Sequence, residues 1–289
     1  ASWGADELSL YGRFDFILAK DGTPKILEFN ADTPTSLLEA SVIQWQWKED
    51  GFPECDQFNG IHEGLVQSWK DIFPKKGEIH FAGALENNED TGTLQYLAST
   101  AMEAGFSTRV LDMQALDLQN GRFFDPAGEL VNRCFKLYPW EWMVDESPDG
   151  CLAEMEWLEP IWKLVMSNKA ILATLYELFP DSPYVLPCYL SRPRSGLFCK
   201  KPVFSREGHN VSVVDIRDWE EYVRIAETEG DYNTGAYVYQ EYVEPTAYSG
   251  RYPVIGSWII GGEAAGIGIR ENRMEVTDNL SEFVPHIIG

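Results

Sequence analysis

A chain of 289 residues, 44% of them hydrophobic, holds enough apolar surface for one large domain or two or three lobes, which excludes a disordered or fibrous protein. Its 46 acidic and 23 basic residues leave a formal charge of -23, so no basic face is expected to follow a phosphate backbone and nucleic acid is set aside as a partner. A cationic small molecule, by contrast, would be drawn toward such a field.

The first element in the chain is also the one richest in chemistry. Residues 13–18 and 26–30 alternate apolar and polar side chains, the period of a half-buried strand, and Asp21-Gly22 between them signals a hairpin turn. With those two residues as the loop, facing positions sum to a constant, which sets Asp15 against Glu28 and Arg13 against Asn30 on one face. Thr23-Pro24 could lengthen the loop and shift that register. Opposed carboxylates about 5 Å apart repel by roughly 3 kcal/mol at an effective dielectric near ~20, so something positive is needed beside them. Two carboxylates and an amide oxygen suit a hard divalent cation such as magnesium, completed by phosphate and water. Arg13 alone, on an ordinary solvated face, would also neutralise the pair.

Thr33-Pro34-Thr35-Ser36 reads as a turn and N-cap before a helix over 37–47. Asn30 and Asp32 then sit at a strand end facing a helix N-terminus, a place suited to an anion or a phosphate-bound metal. A second amphipathic helix is expected over 58–73, then a strand over 78–85, a loop over 86–90, a helix over 91–104 and a strand over 108–113. That rhythm is a small parallel α/β unit. A strand over 132–137 leads into Tyr138-Pro139-Trp140-Glu141-Trp142, read as an aromatic packing plug between lobes rather than a binding wall, with loop over 145–150. Helices are expected over 155–165 and 169–178, ending at Pro180-Asp181-Ser182-Pro183. The remainder reads as strands over 197–204, 211–215, 236–243, 254–260 and 264–270, with one helix over 219–228.

In that last third, Lys201 lies on a strand and Ser205-Arg206-Glu207-Gly208-His209-Asn210 forms the loop to its return strand. Gly208 lets backbone N–H groups approach a ligand and the lysine adds a point charge, so the loop can fold over a polyphosphate; it is equally a plain polar hairpin loop. The strand carrying Gln240, Glu241 and Val243 ends at Pro245 and offers a backbone edge that can read a purine, or is simply a strand. A hairpin turning at Gly261-Gly262 delivers Arg270, whose guanidinium can bind phosphate bidentately. With Lys169, these are the parts for in-line chemistry on a magnesium nucleotide.

Cys55, Cys134, Cys151, Cys188 and Cys199 are odd in number and show no CxxC spacing, which argues against a disulfide framework or a zinc ribbon and for a reducing compartment. His62, His80, His209 and His286 form no ligand pair. Without a membrane-length apolar run or a signal pattern, the cytoplasm is the expected location. Ala1 runs almost at once into the Asp15 strand, so further sequence is expected upstream.

Arg13-Phe14-Asp15, the run from Leu27 to Ser36, Lys136-Leu137-Tyr138-Pro139-Trp140-Glu141, Ser167-Asn168-Lys169, the run from Lys201 to Gly208, Ile255-Gly256-Ser257-Trp258 and Gly266–Glu271 occur in the order of a known family. In these motifs the chain resembles, nearly end to end, the glutathionylspermidine synthase family, and most closely its short bacterial acid–amine ligases without an amidase domain. The resemblance implies a mixed α/β, circularly permuted ATP-grasp fold with an inserted small Rossmann-like lobe. The lobes would be 1–77 for metal and substrate, 78–150 for the small α/β unit, 151–250 for nucleotide, and 251–289 returning to the phosphate site.

Carried over residue by residue, the resemblance implies ATP and two magnesium ions as cofactors, with Asp15, Glu28 and Asn30 as metal ligands. Lys169, Lys201, Ser205, Gly208, Gln240, Glu241, Val243 and Arg270 would bind ATP. Arg270 would stabilise the transferred phosphoryl group and the tetrahedral adduct, Arg13 would be catalytic beside it, and Arg13, Thr35 and Glu89 would hold the acid substrate. The implied reaction joins a carboxylic acid or peptide to an amine, a polyamine being the first choice, through an acyl phosphate, with no membrane or nucleic-acid partner. The chain departs from the family at Leu137, where the synthetases carry a hydroxyl, so glutathione is not assured as the acid. The alternative is a nucleotide-binding relative that regulates or docks without ligating.

Overall fold

The computed structural model describes residues 2–206, 208–218, 221–230, 232, 235–273 and 281–289. The first hairpin, Tyr11–Leu18 with Pro24–Asn30, is extended on its other edge by Tyr252–Ile260, Glu263–Asn272 and Glu282–Val284 into a five-stranded antiparallel sheet. A second antiparallel sheet runs in the order Cys188–Tyr189, Tyr237–Glu241, Gly196–Pro202, Ser212–Ile216, Tyr222–Glu227. The third is parallel, in the order Ser107–Asp112, Glu78–Gly83, Arg133–Leu137, Glu156–Leu158, with a small meander over Asp117–Gln119, Arg122–Phe124 and Leu130–Val131 beside it. The expected mixed α/β character is therefore present, as is the parallel unit after residue 78.

The main core lies between the first sheet and the parallel one. Tyr11, Trp258 and Ile260 from the former meet Ile79, Phe81, Phe135 and Leu158 from the latter, with Leu65 and Trp69 of the helix Ile61–Ile72 and Leu94 and Leu97 of the helix Asn88–Glu103 between them. Both helices present apolar residues at helical spacing, and Trp69 closes the seam by donating to Thr100 Oγ1 at 2.9 Å. The Gly261-Gly262 turn forms as expected, both residues lying at positive φ, 59° and 89°.

Two expected helices are strands. Over 155–165 the apolar spacing suggests one helix, yet Glu156–Leu158 pairs in parallel with Arg133–Phe135 and buries Leu158, and only Lys163–Ser167 is helical after Pro160. Near 219–228, Tyr222–Glu227 forms the exposed edge of the second sheet, while Trp219 and Glu220 lie outside the described residues. The helix expected from Thr91 begins at Asn88, because the Asn87 side chain accepts from the Glu89 N–H at 2.9 Å and caps it; Glu89 and Asp90 belong to its first turn, not to a loop. The helix expected from Phe58 begins at Ile61. The helix after Ser36 continues to Gly51 and opens into a π turn over Glu39–Ile43. Among the described residues, no helix is long and apolar enough to cross a membrane.

Candidate functional site

The hairpin pairs Asp15 with Glu28 and Arg13 with Asn30, the expected arrangement, though by a different route. The loop spans 19–23, with Ala19 N–H on the Thr23 carbonyl at 3.0 Å, and Leu18 faces Pro24. A bulge after Asp15 then leaves Leu27 as the extra residue and restores the register at the carboxylates.

On its other edge the Asp15 strand meets Gly256, and Arg13 lies across that glycine. A Cβ on Gly256 would stand 2.7 Å from Arg13 Cδ, so the guanidinium reaches Asp15 only because there is none. Arg13 Nε and Nη2 donate to the two Asp15 oxygens at 2.6 and 3.0 Å, Arg270 Nη2 donates to Oδ2 at 2.6 Å, and Asn30 Nδ2 donates to the same oxygen at 3.2 Å. The Arg13 side chain also donates to the Thr35 carbonyl. Burial alone would lower the Arg13 pKa, but Asp15, then Glu28 and Glu39, hold it above its ordinary value. Arg270 is lowered, first by burial and then by the charge of Arg13, with Asp15 and Glu28 only partly compensating.

The second sheet meets this hairpin at the bulge. Lys201 Nζ donates to the Leu27 carbonyl at 3.1 Å and to Gln240 Oε1 at 2.7 Å, while Gln240 Nε2 donates to the Ile26 carbonyl at 2.8 Å. Lys169 Nζ lies 3.0 Å from Glu28 Oε2 and donates to the Ser205 carbonyl at 2.7 Å. Burial would raise the Glu28 pKa; Lys169, Lys201 and Arg13 overcome it and bring it from 4.5 down to about 2. A carboxylate depressed in the folded state adds stability that is fully present above its unfolded value and is lost as pH falls through the folded one. Unfolding free energy measured against pH in urea should therefore decline between about 4.5 and 2 more steeply in the wild type than in Glu28→Gln. Equal slopes in that window would contradict the assignment.

These elements enclose a cavity of about 560 Å³. Arg13, Glu28, Asn30, Lys169, Lys201 and Arg270 line it, as do Gly208, Gln240, Glu241 and Val243 of the second-sheet side of the chain and Thr35 and Glu89. Asp15 lies just behind the wall, 2% exposed, and Ser205 contributes its carbonyl to Lys169. The aromatic run divides its labour. Trp140 is the buried plug, its Nε1 on the Glu159 carbonyl at 3.1 Å, whereas Tyr138, Pro139 and Trp142 line the cavity, which the packing-plug reading missed. Leu137 lines it too.

Sequence reasoning also missed Arg206, which reaches from the covering loop to Thr33 Oγ1 at 2.6 Å and Glu141 Oε1 at 2.5 Å. Nor did it find the fully buried pair Asp32–Lys136 at 2.6 Å, in which Asp32 also accepts from the Trp140 N–H at 2.9 Å. These partners stand 65 to 173 residues apart, beyond any local pattern.

The fold superposes on the crystal structure of a protein from Methylobacillus flagellatus described as "Putative gamma-glutamylcysteine synthetase" with a TM-score of 0.66 at 9% identity, over 98% of this chain and 83% of that one. The family described as "Glutathionylspermidine synthase preATP-grasp" matches residues 1–289, and the chain belongs to it. A Haemophilus influenzae protein named "Putative acid--amine ligase" is 39% identical over 300 residues, 99% of this chain and 76% of its own length. The trypanothione synthetase of Crithidia fasciculata is 28% identical over 316 residues; the chain spans 48% of that enzyme.

Proposed function

We propose that the chain is an ATP-dependent carboxylate–amine ligase that forms an amide through an acyl phosphate. Besides family membership, one observation supports this reading above the rest. In a protein of formal charge -23, four cations, Arg13, Arg270, Lys169 and Lys201, gather around Asp15 and Glu28 on the cavity wall, a cluster suited to a polyphosphate, while Glu39, Glu89, Asp90 and Glu241 line the cavity as well. In this reading Lys169 and Lys201 hold the nucleotide phosphates and the loop with Ser205 and Gly208 covers them. Gln240, Glu241 and Val243 present the purine edge. Arg13, Thr35 and Glu89 hold the acid, a carboxylic acid or peptide, and Arg270 with Arg13 meets charge that develops on the transferred phosphoryl group and on the tetrahedral adduct. The amine is a polyamine.

Among the described residues, no three His, Cys, Asp or Glu side chains converge on a point. The donor set would instead be the Asp15 and Glu28 carboxylates with the Asn30 amide on one face of the hairpin, a set suited to magnesium once the Asn30 oxygen turns toward it. Two such ions, held by these residues, would neutralise phosphate charge. We also read the fold as a circularly permuted ATP-grasp, with lobes 1–77, 78–150, 151–250 and 251–289 and the parallel unit as a Rossmann-like insertion. The five cysteines, all free thiols, accord with the cytoplasm.

The test is an ADP-release screen of acids crossed with amines, with hydroxylamine added to trap the acyl phosphate as a hydroxamate. ADP and hydroxamate should form only with an acid present, rise with a polyamine and vanish on chelation of magnesium. ATP binding without ADP release for any pair would refute the ligase reading.

A further inference from the structure

Glu39 stands three residues after Ser36, and Ser-x-x-Glu ahead of an apolar helix is the pattern of a capping box, in which the glutamate reaches back to the serine N–H. The box does not form. Ser36 sits at φ 64°, in the left-handed region rather than the extended one a cap requires, and among the described residues the Glu39 carboxylate accepts no hydrogen bond and makes no close ion pair. It lines the cavity instead, one turn along the wall from Thr35 and Ser36, and its charge acts on the Arg13 guanidinium. The next residue, Ala40, packs where Gly268 has no side chain, a Cβ there lying 3.2 Å from it, so the turn is fixed against the strand that carries Arg270. The π turn beginning at Glu39 is the kind of local widening found where a helix serves a site.

Three carboxylates act on Arg13, namely Asp15, Glu28 and Glu39; Asp15 is engaged by two guanidiniums and Glu28 by Lys169, while Glu89, Asp90 and Glu241 also line the cavity but are not among those acting on Arg13. We infer that Glu39 is the group that receives the attacking ammonium beside Arg13 and takes its proton, an inference resting on the ligase reading above. A primary ammonium keeps its proton to about pH 10, so it must lose one before it can attack. One proton passes from nitrogen to Glu39; the freed lone pair forms the C–N bond to the acyl carbon; the C–O bond to phosphate breaks, and its electron pair leaves with phosphate. The second nitrogen proton departs with that phosphate, and Glu39 releases the first to solvent.

Spermidine binding measured by calorimetry tests this without turnover, comparing wild type with Glu39→Gln and with Glu54→Gln, which removes an exposed carboxylate elsewhere. Affinity should fall at least fivefold in Glu39→Gln and less than twofold in Glu54→Gln; an equal change in both, or none in either, would overturn the inference. In turnover, the ratio of amine-dependent product to hydroxamate should drop about tenfold in Glu39→Gln, because hydroxylamine is neutral at pH 7 and needs no base. An unchanged ratio would also overturn it. The wild type's hydroxamate yield reports on the ligase reading by itself, so the two can fail separately.

Discussion

Replacing Arg270 with Ala should lower turnover about 10²- to 10³-fold while nucleotide affinity changes by only a few fold, the magnitude typical of removing one donor aimed at developing charge. The expectation follows from how the guanidinium is held. Arg270 shares a single carboxylate, Asp15, with Arg13, and its pKa is pushed down by burial and by that neighbouring cation. In the ground state it is under-neutralised. Charge arriving on a transferred phosphoryl group would relieve this, so the interaction strengthens in the transition state, which is what lowers a barrier. In the ligase reading, ground-state binding of ATP rests more on Lys169 and Lys201, which the substitution leaves in place. Folding should survive, since Asp15 keeps both hydrogen bonds from Arg13. Steady-state kinetics beside calorimetry of the nucleotide would decide: equal losses in turnover and affinity would make Arg270 an ordinary phosphate ligand.

Lys136→Ala should destabilise the fold by about 3–5 kcal/mol, the cost of leaving one member of a buried ion pair alone. Lys136 is fully buried, donating to Asp32 at 2.6 Å and to the Tyr138 carbonyl at 2.9 Å. Burial lowers its pKa and Asp32 opposes the shift. Without it, Asp32, only 1% exposed, keeps only the Trp140 N–H among these contacts. The double variant Asp32→Leu/Lys136→Met should recover much of the loss, because no uncompensated charge remains. Denaturant unfolding of the single and double variants measures both; a single-variant loss below about 1 kcal/mol would contradict the buried-pair account.

The most specific sequence expectation, Asp15 facing Glu28, held because antiparallel pairing is arithmetic once the turn is located, and the bulge at Leu27 offset the longer loop. The parallel unit after residue 78 was legible for a similar reason, since strand and helix periods alternate there. What the local pattern could not show was competition from afar. Met155–Val165 carries helical spacing, yet Glu156–Leu158 gains a partner in Arg133–Phe135 and a buried place for Leu158. The same holds for Tyr222–Glu227, whose pairing with Ser212–Ile216 outweighs its local preference. Family motifs singled out Lys169, Lys201 and Arg270, but that they gather with Arg13 around Asp15 and Glu28 is visible only once two sheets are brought together. Glu39 illustrates the converse: its motif is legible and its bland use, the capping box, is not what the chain does with it.

The Asp15–Arg270 contact joins residues 255 positions apart. At roughly 5–20 residues per second, a ribosome needs on the order of 13 to 50 seconds between releasing one and the other. Closing so long a loop carries an entropic cost near ~5 kcal/mol, which the strand Tyr252–Ile260, lodged between the two, must offset. A nascent chain can thus complete its early hairpin and its parallel sheet before the Asp15–Arg270 contact can form. In the ligase reading, a chain that has not yet reached Arg270 lacks the group proposed to meet the developing phosphoryl charge and would not turn over ATP.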